Sequence, residues 1–374
     1  MRAKPSTGWR IVNVLIAFCL ALLLVGSALA SPLAQAPPGS GGSLAPRPAR
    51  GGAEKGRGYK DPPFDLSHLD GNWRPASSVE ALPAHWDWRE HSVITRVQNQ
   101  GTCGACYIFA TLASMESQLQ VKGQGSYDFS ENSVAECPFK AHGCNWGNSC
   151  LFFSFLSTYG TVQESCDPWN PADQPCKQGC TYIKTLTDAW MLGAKQPPPV
   201  STLKGWLRTY GPLYIAMDSG SSSRAWRQEM TSYDGSYTLY HPSSTPNDQD
   251  HAILLIGWDD NLSHAGGKGA WIVKNSWGTG WGGTCGHGAE RGYFTMAYGS
   301  AALGGVAAFV QGWQDYDPQG ELLRNDEAGV KAWYRWTGSK QAYGLSKLVP
   351  TRSGCATAVE IWTADATADV DVYV

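Results

Sequence analysis

Cys103 and Cys106 stand three apart in the run Gln98-Asn99-Gln100-Gly101-Thr102-Cys103-Gly104-Ala105-Cys106-Tyr107. That spacing serves three chemistries: a nucleophilic thiol, a dithiol redox pair, or half of a structural zinc site. After Cys106 the apolar residues Tyr107, Ile108, Phe109, Leu112, Met115 and Leu119 recur as in an amphipathic helix. A cysteine on the first turn of such a helix would lie at the positive end of its dipole, which favours thiolate over thiol. A zinc ribbon wants a second closely spaced Cys or His pair, and no other C-x-x-C occurs in the chain. A redox dithiol should follow a strand, whereas Trp86-Asp87-Trp88-Arg89 and the residues up to Gln98 read as an irregular arm.

The partners of a nucleophile lie far downstream. Asp250-His251-Ala252-Ile253-Leu254-Leu255-Ile256-Gly257 sets a histidine at the mouth of an apolar run that reads as a buried strand. The next strand, Ala270-Trp271-Ile272-Val273-Lys274, ends in Asn275-Ser276-Trp277-Gly278. An asparagine ending one strand can face a histidine opening its neighbour and orient the imidazole, which completes a nucleophile, base and orienter. The glycines that follow do not form a phosphate loop, because the Lys-Ser/Thr that would grip a nucleotide is missing. No cluster of metal ligands appears, so neither a metal nor another cofactor is expected.

Five ordered segments then resemble the papain family of cysteine peptidases, over roughly residues 82–308. They are Leu82-Pro83-Ala84-His85-Trp86-Asp87-Trp88-Arg89, the run containing Cys103 and Cys106, Phe129-Ser130-Glu131-Asn132 through Cys137 with Gly143-Cys144-Asn145, Asp250-His251-Ala252, and Lys274-Asn275-Ser276-Trp277-Gly278. The resemblance implies Cys106 as nucleophile, His251 as general base and acid, and Asn275 as the residue that orients His251. It implies that Gln100 joins the Cys106 backbone N–H in an oxyanion hole, and that Trp277 screens the His251–Asn275 hydrogen bond from water. Gly147 matches the glycine that pairs its backbone with the substrate. Here the chain departs from the family's Cys-Asn-Gly-Gly, because Trp146 stands in place of a glycine and would intrude near the cleft. The pocket for the second residue before the scissile bond would be lined by Asn148, Ser149, Ala216 and Gln249. The resemblance further implies disulfides joining Cys103 to Cys144 and Cys137 to Cys176, with Cys166 to Cys180 as a local third; Cys150, Cys285 and Cys355 have no assignable partner.

The elements that must position these residues divide the chain into two halves. Residues 107–207 read as mostly helical, with 154–159 and 203–210 as further helix candidates; from Gly211 through Tyr298 the pattern turns to strands. The expected architecture is an α+β, papain-like two-lobed fold over residues 81–310, helical lobe against β-barrel-like lobe, with Cys106 facing His251 across the cleft. Residues 1–30 read as a secretory signal: Arg2, Lys4 and Arg10 precede an apolar run that ends in Ala28-Leu29-Ala30. The product would be secreted, extracellular or held at the cell envelope, where disulfides persist. Residues 31–80, rich in Pro, Gly and Arg, read as linker or as a short pro-region running through the cleft.

Beyond about residue 311 the resemblance ends. Residues 313–318 read as a connector, and alternating strands at 345–349, 358–362 and 370–374 resemble the beginning of a lectin-like sandwich carried by some bacterial members. They suggest carbohydrate or cell-surface contact, and are too few to close a sandwich. With 29 Lys and Arg against 32 Asp and Glu, the net charge of −3 gives no footprint for nucleic acid. Polypeptides are the expected substrates of a monomeric, endo-acting enzyme, since nothing resembles the added loops that make some relatives exopeptidases. Two other readings share the scaffold: a catalytically weak binding protein, and an acyl-transferring ligase.

Overall fold

A computed structural model describes residues 57–61, 70–71, 73, 76, 81–137, 143–144, 146–148, 156, 160–172 and 174–318. It also gives the backbone of three short strands, Trp9–Arg10, Val14–Cys19 and Cys355–Val359. Ser149, Cys150, most of 31–80 and the tail strands at 345–349 and 370–374 lie outside the described residues; of 358–362 only the first two are described, ending the strand Cys355–Val359.

The helical lobe is built on α1 (Cys106–Val121) and the short α2 (Glu131–Glu136). α1 is buried on nearly every face, which corrects its reading as an amphipathic helix. The helix lies against three strands of the sheet on one side and α2 on the other, so its polar residues also enter the core. They do so satisfied: Thr111 Oγ1 donates to the Tyr107 carbonyl at 2.6 Å, Ser117 Oγ to that of Ala113 at 2.7 Å, and Ser114 Oγ to that of Pro212 at 3.2 Å. Ser130 caps α2 by accepting the Ser133 N–H at 2.9 Å.

The other lobe is an antiparallel sheet. Its strands are β1 (His85–Asp87), β2 (Lys184–Ala194), β3 (Leu213–Met217), β4 (His251–His264), β5 (Gly267–Lys274), β6 (Tyr293–Ala297) and β7 (Val306–Asp315). Their order is β2-β7-β3-β4-β5-β6, with β1 added to β4 and Trp9–Arg10 to β2. One apolar cluster fills the space between α1 and the sheet, and a second, rich in tryptophan, covers the opposite side beneath α3 (Val200–Tyr210) and α4 (Arg224–Ser232).

Three expectations change here. The described residues of 107–207 are not mostly helical: helix is limited there to α1, α2, residue 156 and the start of α3, and β2 occupies eleven residues. Irregularities at 186–189 and 191–193 break the two-residue period of β2, and its partner β7 lies more than a hundred residues away, so the local pattern carried little sign of it. Residues 313–315 are no connector: Trp313, Gln314 and Asp315 pair with Leu186, Thr185 and Lys184 as the end of β7. In the half read as strand and turn, α4 forms behind Ser223, whose hydroxyl accepts the Trp226 N–H at 3.1 Å.

Candidate active site

Sheet register sets the site. β4 and β5 are neighbours with Leu254 opposite Lys274, so His251 at the start of β4 and Asn275 just past the end of β5 fall at the same edge. His251 Nε2 and Asn275 Oδ1 are 2.8 Å apart. Because the amide oxygen can only accept, this nitrogen is the protonated one, and Nδ1 is left as the basic atom. That Nδ1 is buried and has no hydrogen-bond partner among the described residues, as a nitrogen held for proton exchange would be. Asn275 is fixed in turn by the Ser276 N–H, which its Oδ1 accepts at 2.8 Å, and by its own N–H to the Gly292 carbonyl at 3.0 Å. The Trp277 indole stacks on the imidazole, 4.8 Å between centroids, and is itself met edge-on by Trp281 at 4.9 Å.

Cys106 opens α1, whose first turn has no side-chain cap, and the Tyr107 N–H acts on its sulfur. The Ala252 N–H, one residue from His251, donates to Sγ at 3.3 Å and ties nucleophile and base across the seam between the lobes. Gln100 is clamped beside them. Its Nε2 donates to the Cys103 carbonyl at 2.7 Å, its Oε1 accepts Ser276 Oγ–H at 2.6 Å, and its backbone N–H reaches the Ser276 carbonyl at 2.8 Å. The second Nε2 hydrogen remains for an oxyanion. Disulfides join Cys103 to Cys144, Cys137 to Cys176 and Cys166 to Cys180, while Cys106 and Cys285 are free. With Cys103 bonded to Cys144, this structure does not contain a Cys103–Cys106 redox pair.

The site is covered by residues 57–61. Tyr59 bridges Gly147 in parallel register: the Gly147 N–H donates to the Gly58 carbonyl at 2.8 Å, and the Lys60 N–H to the Gly147 carbonyl at 2.9 Å. The Tyr59 N–H donates to the Asp250 carbonyl at 3.0 Å, and its side chain is 1% exposed. Arg57 Nε donates to Ser219 Oγ at 2.9 Å, its Nη2 reaches the Ser219 carbonyl at 3.1 Å, and the guanidinium lies 5.5 Å from the Trp277 ring centroid and 3.7 Å from Asp250. Gly58 is pressed so closely on the nucleophile segment that a Cβ there would stand 1.9 Å from the Gly104 carbonyl oxygen.

This cover sets the ionisation of the pair. Burial pushes the Cys106 thiol up to about 12, with the Asp250 charge adding to the rise and the N–H groups of Ala252, Gly58 and Tyr107 opposing it. Burial pushes His251 down to about 3, helped by the Arg57 charge and opposed by the bond to Asn275. A dry site therefore holds thiol and imidazole both neutral.

Among the residues expected to line a substrate pocket, Ala216 lies in β3 and Gln249 hands its Nε2 to the Ala302 carbonyl at 2.8 Å; both are buried, as is Asn148. Trp146 is exposed. Sequence reasoning missed Ser276 as the clamp of Gln100, although it lay inside a quoted motif; for residues 31–80 it left linker and a pro-region through the cleft both open and did not single out 57–61, the part that covers the site here.

Residues 82–311 match the profile of the papain family cysteine proteases. The chain belongs to that family. It is 32% identical over 234 residues to a cathepsin L-like proteinase of Fasciola hepatica, covering 62% of this chain and 65% of the relative, and 31% identical to the thiol protease aleurain of Arabidopsis thaliana, covering 60% and 58%. The chain thus spans about three-fifths of the length of the curated relatives it matches. Among solved structures, digestive procathepsin L2 proteinase from Tenebrio molitor larval midgut superposes with a TM-score of 0.52 at 26% identity, covering 63% of this chain and 70% of that one. The two-lobed papain-like fold expected from the sequence is thereby established.

Proposed function

We propose that this chain is a secreted cysteine endopeptidase, held latent by residues 57–61, that cleaves polypeptides through Cys106, His251 and Asn275. The observation that carries the reading is the Ala252 N–H on Cys106 Sγ, which joins the nucleophile to the strand that begins with His251, together with His251 fixed by Asn275 and its Nδ1 unpartnered among the described residues. Family membership supports it, and the leader-like residues 1–30 support export.

When residues 57–61 withdraw, water re-enters, the Arg57 charge leaves, and both burial terms shrink. A proton then passes from Cys106 Sγ to His251 Nδ1, giving thiolate and imidazolium. The thiolate attacks the peptide carbonyl carbon, and the oxygen takes the negative charge against Gln100 Nε2–H and the Cys106 N–H. Collapse re-forms the carbonyl and breaks the C–N bond; His251 delivers its proton to the departing amine and a thioester remains. Water, deprotonated by His251, adds to the thioester, and collapse releases the acid and returns the proton to the pair. Asn275 holds the ring through both transfers, and Trp277 keeps water from that bond.

The test is labelling of the thiol-reduced secreted protein with a cysteine-directed epoxide, before and after displacement of residues 57–61, with casein hydrolysis followed in parallel. Stoichiometric label on Cys106 with loss of hydrolysis is the expected result. Label elsewhere, or hydrolysis that survives full labelling, would overturn the assignment.

A further inference from the structure

Trp146 is held in a conformation that its own fold does not reward. Its φ is +78°, the left-handed region that a bulky residue rarely enters and that glycine enters freely. The indole is 40% exposed and makes no ring contact or hydrogen bond among the described residues. Yet it stands immediately before Gly147, whose N–H and carbonyl are the groups that grip the covering segment.

The register shows what lies beside it. The bridge is parallel with Tyr59 opposite Gly147, so Gly58 runs alongside Trp146. Gly58 is also the residue pressed against Gly104, with its N–H acting on the Cys106 sulfur. The place filled by Gly58 is therefore the place where a substrate residue must present its carbonyl to Cys106. The covering segment puts a residue with no side chain there, in register with Trp146.

We propose that Trp146 is a specificity-determining residue for the side chain of the residue that contributes the scissile carbonyl, and that it selects a large apolar side chain, phenylalanine or leucine, over glycine. This rests on the endopeptidase reading above. A flat apolar face opposite that residue gains contact area with a large side chain and nothing with glycine, while the backbone bonds to Gly147 and Asp250 are common to both. A glycine at 146 would leave the position open and indifferent.

The test compares kcat/KM for two fluorogenic peptides that differ only in the residue before the scissile bond, phenylalanine or glycine. The full-length chain is used as it is, because both peptides need the same uncovered state and the fraction uncovered cancels from their ratio. The wild-type ratio is expected to favour phenylalanine by about tenfold. Trp146→Gly should bring the ratio close to one, and Trp146→Phe should keep most of it. A wild-type ratio near one, or a ratio unchanged in Trp146→Gly, overturns this proposal while leaving the endopeptidase reading intact. If Trp146→Gly fails to fold, Trp146→Ala and Trp146→Phe carry the comparison, and equal ratios in those two also overturn it. Absence of cleavage of either peptide and of casein by uncovered wild-type enzyme would bring down both readings together.

Discussion

Adding one methyl group to Gly58 should open the site. The Cβ of Gly58→Ala would sit 1.9 Å from the Gly104 carbonyl oxygen and 2.2 Å from its carbon, which is inside any non-bonded contact and against backbone rather than a side chain that can swing away. The segment must retreat by more than an ångström, and three backbone hydrogen bonds go with it: Gly147 N–H to the Gly58 carbonyl, Tyr59 N–H to Asp250 and Lys60 N–H to Gly147. At about 1 kcal/mol net for each, the cover weakens by about 3 kcal/mol, which is on the order of a 100-fold rise in the uncovered population. The assay is the rate at which iodoacetamide alkylates Cys106 in the full-length chain, followed by mass spectrometry. Uncovering restores thiolate as well as access, so the rate should climb by about two orders of magnitude while far-ultraviolet circular dichroism stays unchanged. A rate within twofold of the parent would refute the idea that residues 57–61 close the cleft.

Gln100→Ala should lower kcat/KM by roughly 100- to 1,000-fold through loss of an oxyanion donor, measured on uncovered enzyme, and His251→Ala should leave no thioester on rapid quench. Asn275→Ala should cost about 100-fold by freeing the imidazole to turn, read as a fall in kcat. Burial holds the Glu164 carboxyl up to about 7, with Asp128 and Asp167 adding to it and the Trp169 N–H and Arg96 opposing. A raised acid favours the fold while protonated, so its contribution is whole below an ordinary carboxylate pKa of about 4.3 and is lost as pH climbs through about 7. Glu164→Gln should therefore match the parent Tm at pH 4 and exceed it at pH 8; a constant difference would contradict the assignment. Replacing Cys166 and Cys180 together with Ala removes a bridge spanning 14 residues and should cost about 3 kcal/mol in urea unfolding.

The candidate site was readable because its chemistry is local. Cys106, His251 and Asn275 each sit at a boundary between an element and a loop, and the composition of each boundary announces it. The helix behind Cys106 was legible as a helix, but its burial was not, since Thr111, Ser114 and Ser117 look like a solvent face until their hydroxyls are seen bonded to carbonyls within the core. β2 escaped because a strand takes its identity from its partner, and β7 lies at the far end of the domain. Arg57, Gly58 and Tyr59 were not singled out within the expected linker or pro-region for a related reason. Three residues among glycines and arginines acquire meaning only from the groove that receives them.

The manner in which Gly58 meets Cys106 bears on how a population of these molecules would behave over time. The segment turns the Gly58 N–H toward the sulfur, and its backbone is pinned in that pose by bonds on either side. On the endopeptidase reading proposed above, a molecule whose segment is seated in this way would not trim its own cover from within the closed state. The first cut would then fall on a segment that has already left its groove, made by another molecule that is already open. Maturation would then spread from molecule to molecule: a quiet interval, shorter in concentrated solution, followed by a steep rise, with a trace of mature enzyme sufficient to abolish the wait.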